Sequence, residues 1–297
     1  MPARFFHAGE AKAPVSPEEA DGKKVATAAG VSSSFVIVTT GDLPEAYFLA
    51  MFLLERSQRV AMVNIIARPM ADQLRVLARL RRNRGNRYLA DLLLARVDQW
   101  LRGRVRRRPG QGAFPEVDAA FMHRVRTEHP HVNCTDPHAE PVLDFVRKVE
   151  PDYLLFAGAQ IIRPALYEIA RHGALNRHLG LLPDFRGSDC PIWAFALQQP
   201  ECSGYTVHRV VQKVDAGDVL LRRPVAMGGE ATLGDYLRRL QREASEGFTA
   251  VLDQIIQGKP LYPEPQNSGG RYFPPAGWST RRRAEKVYRG LTARPLP

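Results

Sequence analysis

The chain has 297 residues, 44% hydrophobic and 25% charged, a globular composition that fits one large domain or two small ones and excludes a fold lacking a core of its own. Three cysteines, Cys134, Cys190 and Cys202, in no metal-ligand spacing, exclude a disulfide scaffold and a cysteine zinc site and fit a reducing, cytoplasmic setting, while no run approaches about 18 apolar residues and no signal peptide opens the chain. The formal charge of +11 rests on 35 Arg and 7 Lys and is concentrated: residues 75–108 carry 12 Arg against Asp91 and Asp98, and residues 281–294 carry five Arg and Lys286 against Glu285, so the remainder is mildly acidic.

Residues 1–31, rich in Ala, Gly, Pro, Lys and Glu without periodicity, read as a disordered leader. The run SSSFVIVTTG predicts a buried strand ending at Gly41, followed by a helix from Pro44 to about Arg56 and a second strand, RVAMVNIIA. Residues 70–108 read as an inserted pair of Arg-rich amphipathic helices joined by a turn at Arg84-Gly85-Asn86, with Leu89, Leu92, Leu93, Val97, Trp100 and Leu101 forming an i, i+3/i+4 stripe. Their arginines read first as a solvated face; an anionic membrane surface, a polyanionic substrate or RNA are the sharper readings, and sparse aromatics disfavour nucleic acid.

A Gly/Pro-rich loop, a helix from about Glu116 to Glu128, the short extended HVNCTD, a helix stopped by Pro151 and the strand DYLLFAG follow. A helix from about Pro164 to Arg171 leads through Gly173 into ALNRH. Next come the loop LLPDFRG, a helix from about Asp189 to Gln198, two strands close enough to pair antiparallel (GYTVHRVV and DVLLRRPV) and a helix from about Thr232 to Gln257. Residues 261–297 read as an extended basic tail. Strand–helix alternation with near-continuous apolar strands predicts an α/β fold, Rossmann-like, with a mostly parallel sheet covered on both faces and a single domain over residues 32–260.

Two segments put polar groups where buried strands end. Asn176 and His178 are two apart, so on an extended chain they share a face, and a carboxamide beside an imidazole suits oxyanion binding and proton transfer. In KVDAGD, Asp215 stands on a turn between the two late strands, where its carboxylate could orient His178 and accept a proton. Taken singly, each has a packing explanation: a strand-end histidine, a turn-forming asparagine, a hairpin aspartate.

Four motifs occur in order: Asn176-Arg177-His178; Leu182-Pro183 with Arg186-Gly187; Gly204-Tyr205-Thr206-Val207-His208; and Val214-Asp215-Ala216-Gly217-Asp218. Together they resemble the folate-dependent formyltransferases, the family of the glycinamide ribonucleotide, methionyl-tRNA and amino-sugar enzymes, over roughly residues 33–260 outside the Arg-rich insertion. The resemblance implies that Asn176, His178 and Asp215 are the catalytic group, with Asn176 and His178 donating to the oxyanion and Asp215 taking the amine's proton. It implies 10-formyltetrahydrofolate as co-substrate and no metal, with the pterin ring against Phe156, Gly158, Ile161, Ile162, Arg163, Val214, Ala216, Gly217 and Asp218. Leu182, Pro183, Arg186 and Gly187 are the implied substrate-side residues, Arg163 and Arg186 being candidates for a glutamate tail or an anionic acceptor. A packing role for Arg186 stands beside that one, and His208 and Trp193 read as packing.

The sequence departs from the family after His178, where Leu179-Gly180 replaces Pro-Ser. The 37 residues from 261 are too few for the β-barrel domain of the tRNA enzymes, and 31 irregular residues too few for the N-terminal domain of the hydrolytic relatives. The expectation is an N-formyltransferase acting on a small-molecule amine, such as an amino sugar or a specialised-metabolite intermediate. Transfer to a charged tRNA, hydrolysis of 10-formyltetrahydrofolate and non-catalytic folate or anion binding are the alternatives. Oligomeric state is left open.

Overall fold

A computed structural model describes residues 32–66, 70–106, 112–158, 162–267 and 269–293, without the side chains of 70–72 and 102–106. The expected leader and Ile161 lie outside the described residues.

Alternation of buried side chains sets the architecture. Seven strands form one sheet in the order β3-β2-β1-β4-β5-β7-β8. These are β1 (Ser34–Thr40), β2 (Arg59–Ile65), β3 (His131–Cys134), β4 (Tyr153–Ala157), β5 (Ala174–His178), β7 (Gly204–Arg209) and β8 (Val219–Pro224). The first five run parallel; β7 is antiparallel to β5, and β8 to β7. Phe35, Ile37, Met62, Tyr153 and Leu155 point to one face, against α1 (Pro44–Leu54) and α7 (Leu233–Ile256). Val36, Val38, Val63, Leu154 and Phe156 point to the other, against α4 (Glu140–Val149) and α5 (Pro164–Tyr167). Both faces are therefore covered, as continuous apolar strands require. From β1 the chain winds to β2 and β3 on one side and returns to β4 and β5 on the other, so the strand order reverses beside β1 and β4, where open α/β sheets bind ligands.

Several elements depart from the sequence reading. The helical run α2 (Met70–Arg106) breaks at Gly85 (φ 83°, ψ 167°), so two helices meet there without an intervening loop. α3 (Ala119–Glu128) starts three residues later than expected, because Asp118 caps it by accepting the Phe121 N–H at 2.7 Å. α5 ends early because the Arg171 and His172 N–H groups go to the carbonyls of Pro151 and Asp152.

The expected LLPDFRG loop contains β6 (Phe185–Gly187), paired in parallel with β9 (Arg271–Phe273). The tail is not extended throughout. After the Pro/Gly stretch ends at Gly277, Trp278–Thr292 form α8, which seats Ala284 and Tyr288 against α6 (Cys190–Ala196) and α7. The periodic Ala284, Tyr288 and Leu291 supply the apolar face that makes this segment a helix.

Candidate active site

The register between β5 and β7 assembles the site. Asn176 lies opposite His208 and His178 opposite Thr206. Arg177 points to the other face, buried against Glu45 of α1 at 3.3 Å and Ser245 of α7 at 3.3 Å. Asn176 and His178 therefore do share a face, and Arg177 anchors their strand from behind. Thr206 ties down the chain after His178: its hydroxyl donates to the Gly180 carbonyl at 2.7 Å and accepts the Leu182 N–H at 3.2 Å.

Asp215 reaches this face from the β7–β8 loop, adopting a positive φ of 51°. One carboxylate oxygen, Oδ2, accepts the Gly187 N–H at 2.8 Å and lies 3.6 Å from His178 Nδ1; Oδ1 lies 3.6 Å from His208 Nε2. Burial acts to raise the Asp215 pKa, but the His208 and His178 rings, where they carry a proton toward the carboxylate, and the Gly187 N–H outweigh it and bring it down to about 2. The backbone fixes both imidazole tautomers. His178 Nε2 is 2.7 Å from the Phe185 carbonyl and His208 Nδ1 is 2.8 Å from the Arg209 carbonyl, so those nitrogens carry the protons. His208 Nε2 is then an acceptor, filled by the Asn176 amide at 3.0 Å, and His178 Nδ1 faces the carboxylate as a lone pair. Burial pushes the His178 pKa down, against the opposing pull of Asp215 and the Phe185 carbonyl, and favours this neutral ring.

Gly180, where the resemblance puts a serine, has a steric role. A Cβ there would fall 2.5 Å from His178 Nε2 and 2.7 Å from the Phe185 carbonyl oxygen, so this placement of the ring needs glycine.

The structure brings Asn176, His178, Asp215 and Gly187 together. Phe156 is buried in the row of Asn176, Gly158 is exposed just past β4, and Ile162 packs on the second core cluster. Arg163 donates its backbone N–H to His138 Nε2 at 2.9 Å and leaves its side chain exposed. The backbone from Val214 to Ala216 pairs with no strand, and Gly217 approaches the Arg209 carbonyl so closely that a Cβ would lie 2.0 Å from it.

Of the implied substrate-side residues, Leu182 is fully buried and Pro183 half-buried. Arg186 is buried with its guanidinium on the Asn267 carbonyl at 3.3 Å and its Nε without a partner, so in this conformation it braces the chain at 267. His178 differs from expectation as well: its N–H is committed to Phe185 and is not free to meet an oxyanion.

The residue missed in the sequence is His208, read as packing yet bonded to Asn176 and adjacent to Asp215. The signal was the antiparallel register, which one-dimensional spacing does not contain. Cys190, close by, is no candidate nucleophile, because burial drives its thiol pKa far up.

The sequence profile of the formyl transferase family matches residues 119–252, which include the whole cluster. A methionyl-tRNA formyltransferase of Chlorobium luteolum is 33% identical over 114 residues, 38% of this chain and 36% of that one. The solved phosphoribosylglycinamide formyltransferase of Anaplasma phagocytophilum shares the fold with a TM-score of 0.51 at 15% identity, covering 81% of this chain and 98% of that one. A solved sugar N-formyltransferase from Shewanella gives a TM-score of 0.50 at 14% identity, covering 82% and 76%. The chain spans between about a third and about half the length of the curated relatives it matches.

Proposed function

From the match of residues 119–252 to the formyl transferase family and the similarity to methionyl-tRNA formyltransferases, we propose that the chain moves the formyl group of 10-formyltetrahydrofolate to the amine of a small molecule, an amino sugar or a specialised-metabolite intermediate. The observation that carries the chemistry is a cluster short of protons. The Asp215 carboxylate and the His178 Nδ1 lone pair converge beside His208, whose Nε2 is filled by the Asn176 amide, while carbonyls behind the two rings hold their N–H groups away. Such a cluster is built to take up one proton.

The acceptor amine attacks the formyl carbon and forms a new C–N bond. The carbonyl oxygen becomes an oxyanion, which the Asn176 amide can meet with the hydrogen it does not give to His208. Donors of this kind are worth about 3 kcal/mol of barrier. The proton of the attacking nitrogen passes to Asp215 and is shared with His178. The tetrahedral carbon then expels the folate nitrogen, which takes a proton, releasing tetrahydrofolate and the formamide. This reading keeps Asn176 as oxyanion donor and places His178 on the proton path.

For the folate, the unpaired backbone of Val214–Ala216 supplies donors and acceptors suited to a pterin edge, and Gly158 and Ile162 a surface beside it. Arg163 and Lys213 are exposed cations adjacent to these residues in sequence. Two observations favour a small acceptor. Arg186 is turned inward, and part of the basic strip on α8 is engaged at home, with Arg281 on Asp189 at 2.7 Å and Arg282 on Glu285 at 3.4 Å. Transfer to a charged tRNA is the second reading, favoured by the names of the curated relatives.

Purified protein given 10-formyltetrahydrofolate and a panel of amines, with methionyl-tRNA as one arm, is expected to release tetrahydrofolate only with a small-molecule amine. Release with the tRNA alone selects the second reading. Full-rate release without an amine makes the protein a hydrolase, and folate binding without release on any arm makes it a binding homologue.

A further inference from the structure

The second half of α2 lies on the body with its apolar face turned outward. Tyr88 donates to the Pro275 carbonyl at 3.1 Å, Asp91 accepts the Ser279 N–H at 2.9 Å and its hydroxyl at 2.8 Å, and Ala95 is buried. Asp91 thus caps α8, whose own N-cap, Gly277, has no side chain. At about 100° per residue, Tyr88, Asp91 and Ala95 share one face. Leu93, Leu94, Val97 and Leu101 fall on the opposite face, with exposures of 44, 55, 54 and 51%, and Trp100 beside them is 56% exposed. Arg87 and Arg96 border this stripe on either side, both exposed, and Arg102, Arg104 and Arg106 follow in sequence. Between Asn86 and Leu101 the acids are Asp91, held by Ser279, and Asp98.

We propose that the outward face of α2 between Asn86 and Leu101 is a docking surface for an anionic lipid bilayer. The pattern asks for a partner that is negative at its surface and apolar just beneath. An anionic bilayer has both layers, in the order in which a rim of arginines and a central strip of leucine, valine and tryptophan would meet them. RNA has the phosphates but nothing for four exposed aliphatic side chains. A second copy would cover the stripe only by bringing two Arg-rich borders together. Among the described residues no helix is long and apolar enough to cross a membrane, so contact would be from one side, with α2 in the plane of the interface.

The full chain is expected to co-sediment with vesicles of phosphatidylglycerol and phosphatidylcholine, to ignore pure phosphatidylcholine and to be released by salt. Val97→Asp with Leu101→Asp should weaken binding at least about tenfold, and Arg87→Ser with Arg96→Ser should weaken it while flattening the salt dependence. Both variants should keep the wild-type melting temperature, since these side chains face solvent. Tryptophan emission should shift to the blue on vesicles in the wild type and not in Trp100→Phe, a readout that does not depend on the aspartate variant folding. No binding to anionic vesicles at low salt overturns the proposal, and so does equal binding by the folded aspartate variant. Dimerisation through the stripe without vesicle binding assigns the face to a second copy, and salt-sensitive RNA binding without vesicle binding assigns it to RNA; either result also overturns the proposal.

Discussion

Asp215 remains an anion in a place that by burial alone would protonate it, its side chain only 10% exposed. The Gly187 N–H at the end of β6 donates to the anion, and the rings of His178 at the end of β5 and His208 within β7 stand 3.6 Å from its two oxygens. The two rings differ in kind. His208 is saturated by Arg209 and Asn176, whereas His178 keeps Nδ1 turned toward the carboxylate. Because burial lowers the pKa of His178, the ring is neutral at pH 7 and stays neutral as the pH falls below its ordinary value of 6.5. Protonating the pair fills the site that should receive the amine's proton, so the rate should fall on the acid side only. The acid limb of kcat/KM is therefore expected below pH 6.5, titrating with the pair as a unit. A limb centred above that value would contradict the neutral ring. The spacing of Asn176 and His178 and the turn at Asp215 made these residues candidates in the sequence, and the resemblance carried by the four ordered motifs singled them out as a group. The orientation of His178 was not legible there, because it depends on the carbonyl of Phe185, seven residues on, and on the space left by Gly180.

At the scale of elements, β5 and its following loop are held from both sides. Arg177 reaches through to Glu45 and Ser245 behind the sheet, and Thr206 grips Gly180 and Leu182 in front. Gly180 then sits between the imidazole and the Phe185 carbonyl with no room for a side chain. Gly180→Ser should displace the ring. It is expected to lower stability by about 1–3 kcal/mol and kcat by as much as about 100-fold, read from thermal unfolding and from single-turnover formyl transfer. An unchanged rate would mean that the position of the ring does not matter. Most elements were legible in the sequence because strands and helices write their periods locally, as in SSSFVIVTTG and the face of α7. β6 and β9 were not: each is three residues long, and each exists only because the other, more than eighty residues away, pairs with it.

Over the whole molecule, residues 264–267 and 269–277 cross the site's loops before α8 closes the fold. Glu264 bridges Val219, Gln266 donates to the Gly217 carbonyl, Asn267 receives Arg186, and Pro274 receives Trp193. This segment is part of the body that holds the site, although its composition reads as a surface tail. Tyr288 of α8 is fully buried, edge-on to Phe195 at 5.3 Å between ring centres and 6.0 Å from Tyr236. Tyr288→Ala should cost about 3 kcal/mol or more, measured by urea unfolding. A cost near zero would show that α8 is an appendage after all. The +11 charge divides in the same way: part of the α8 strip is paired within the fold, while α2 presents arginines around an outward apolar face.

The central claim is that Asp215, backed by His178, takes the proton released when an amine attacks the formyl group. The most direct measurement is the single-turnover rate of formyl transfer by Asp215→Asn with the accepted amine, alongside its affinity for folate. The account predicts a rate at least about 100-fold below wild type, with folding intact and folate affinity little changed. A folded Asp215→Asn protein that transfers formyl at the wild-type rate would contradict it.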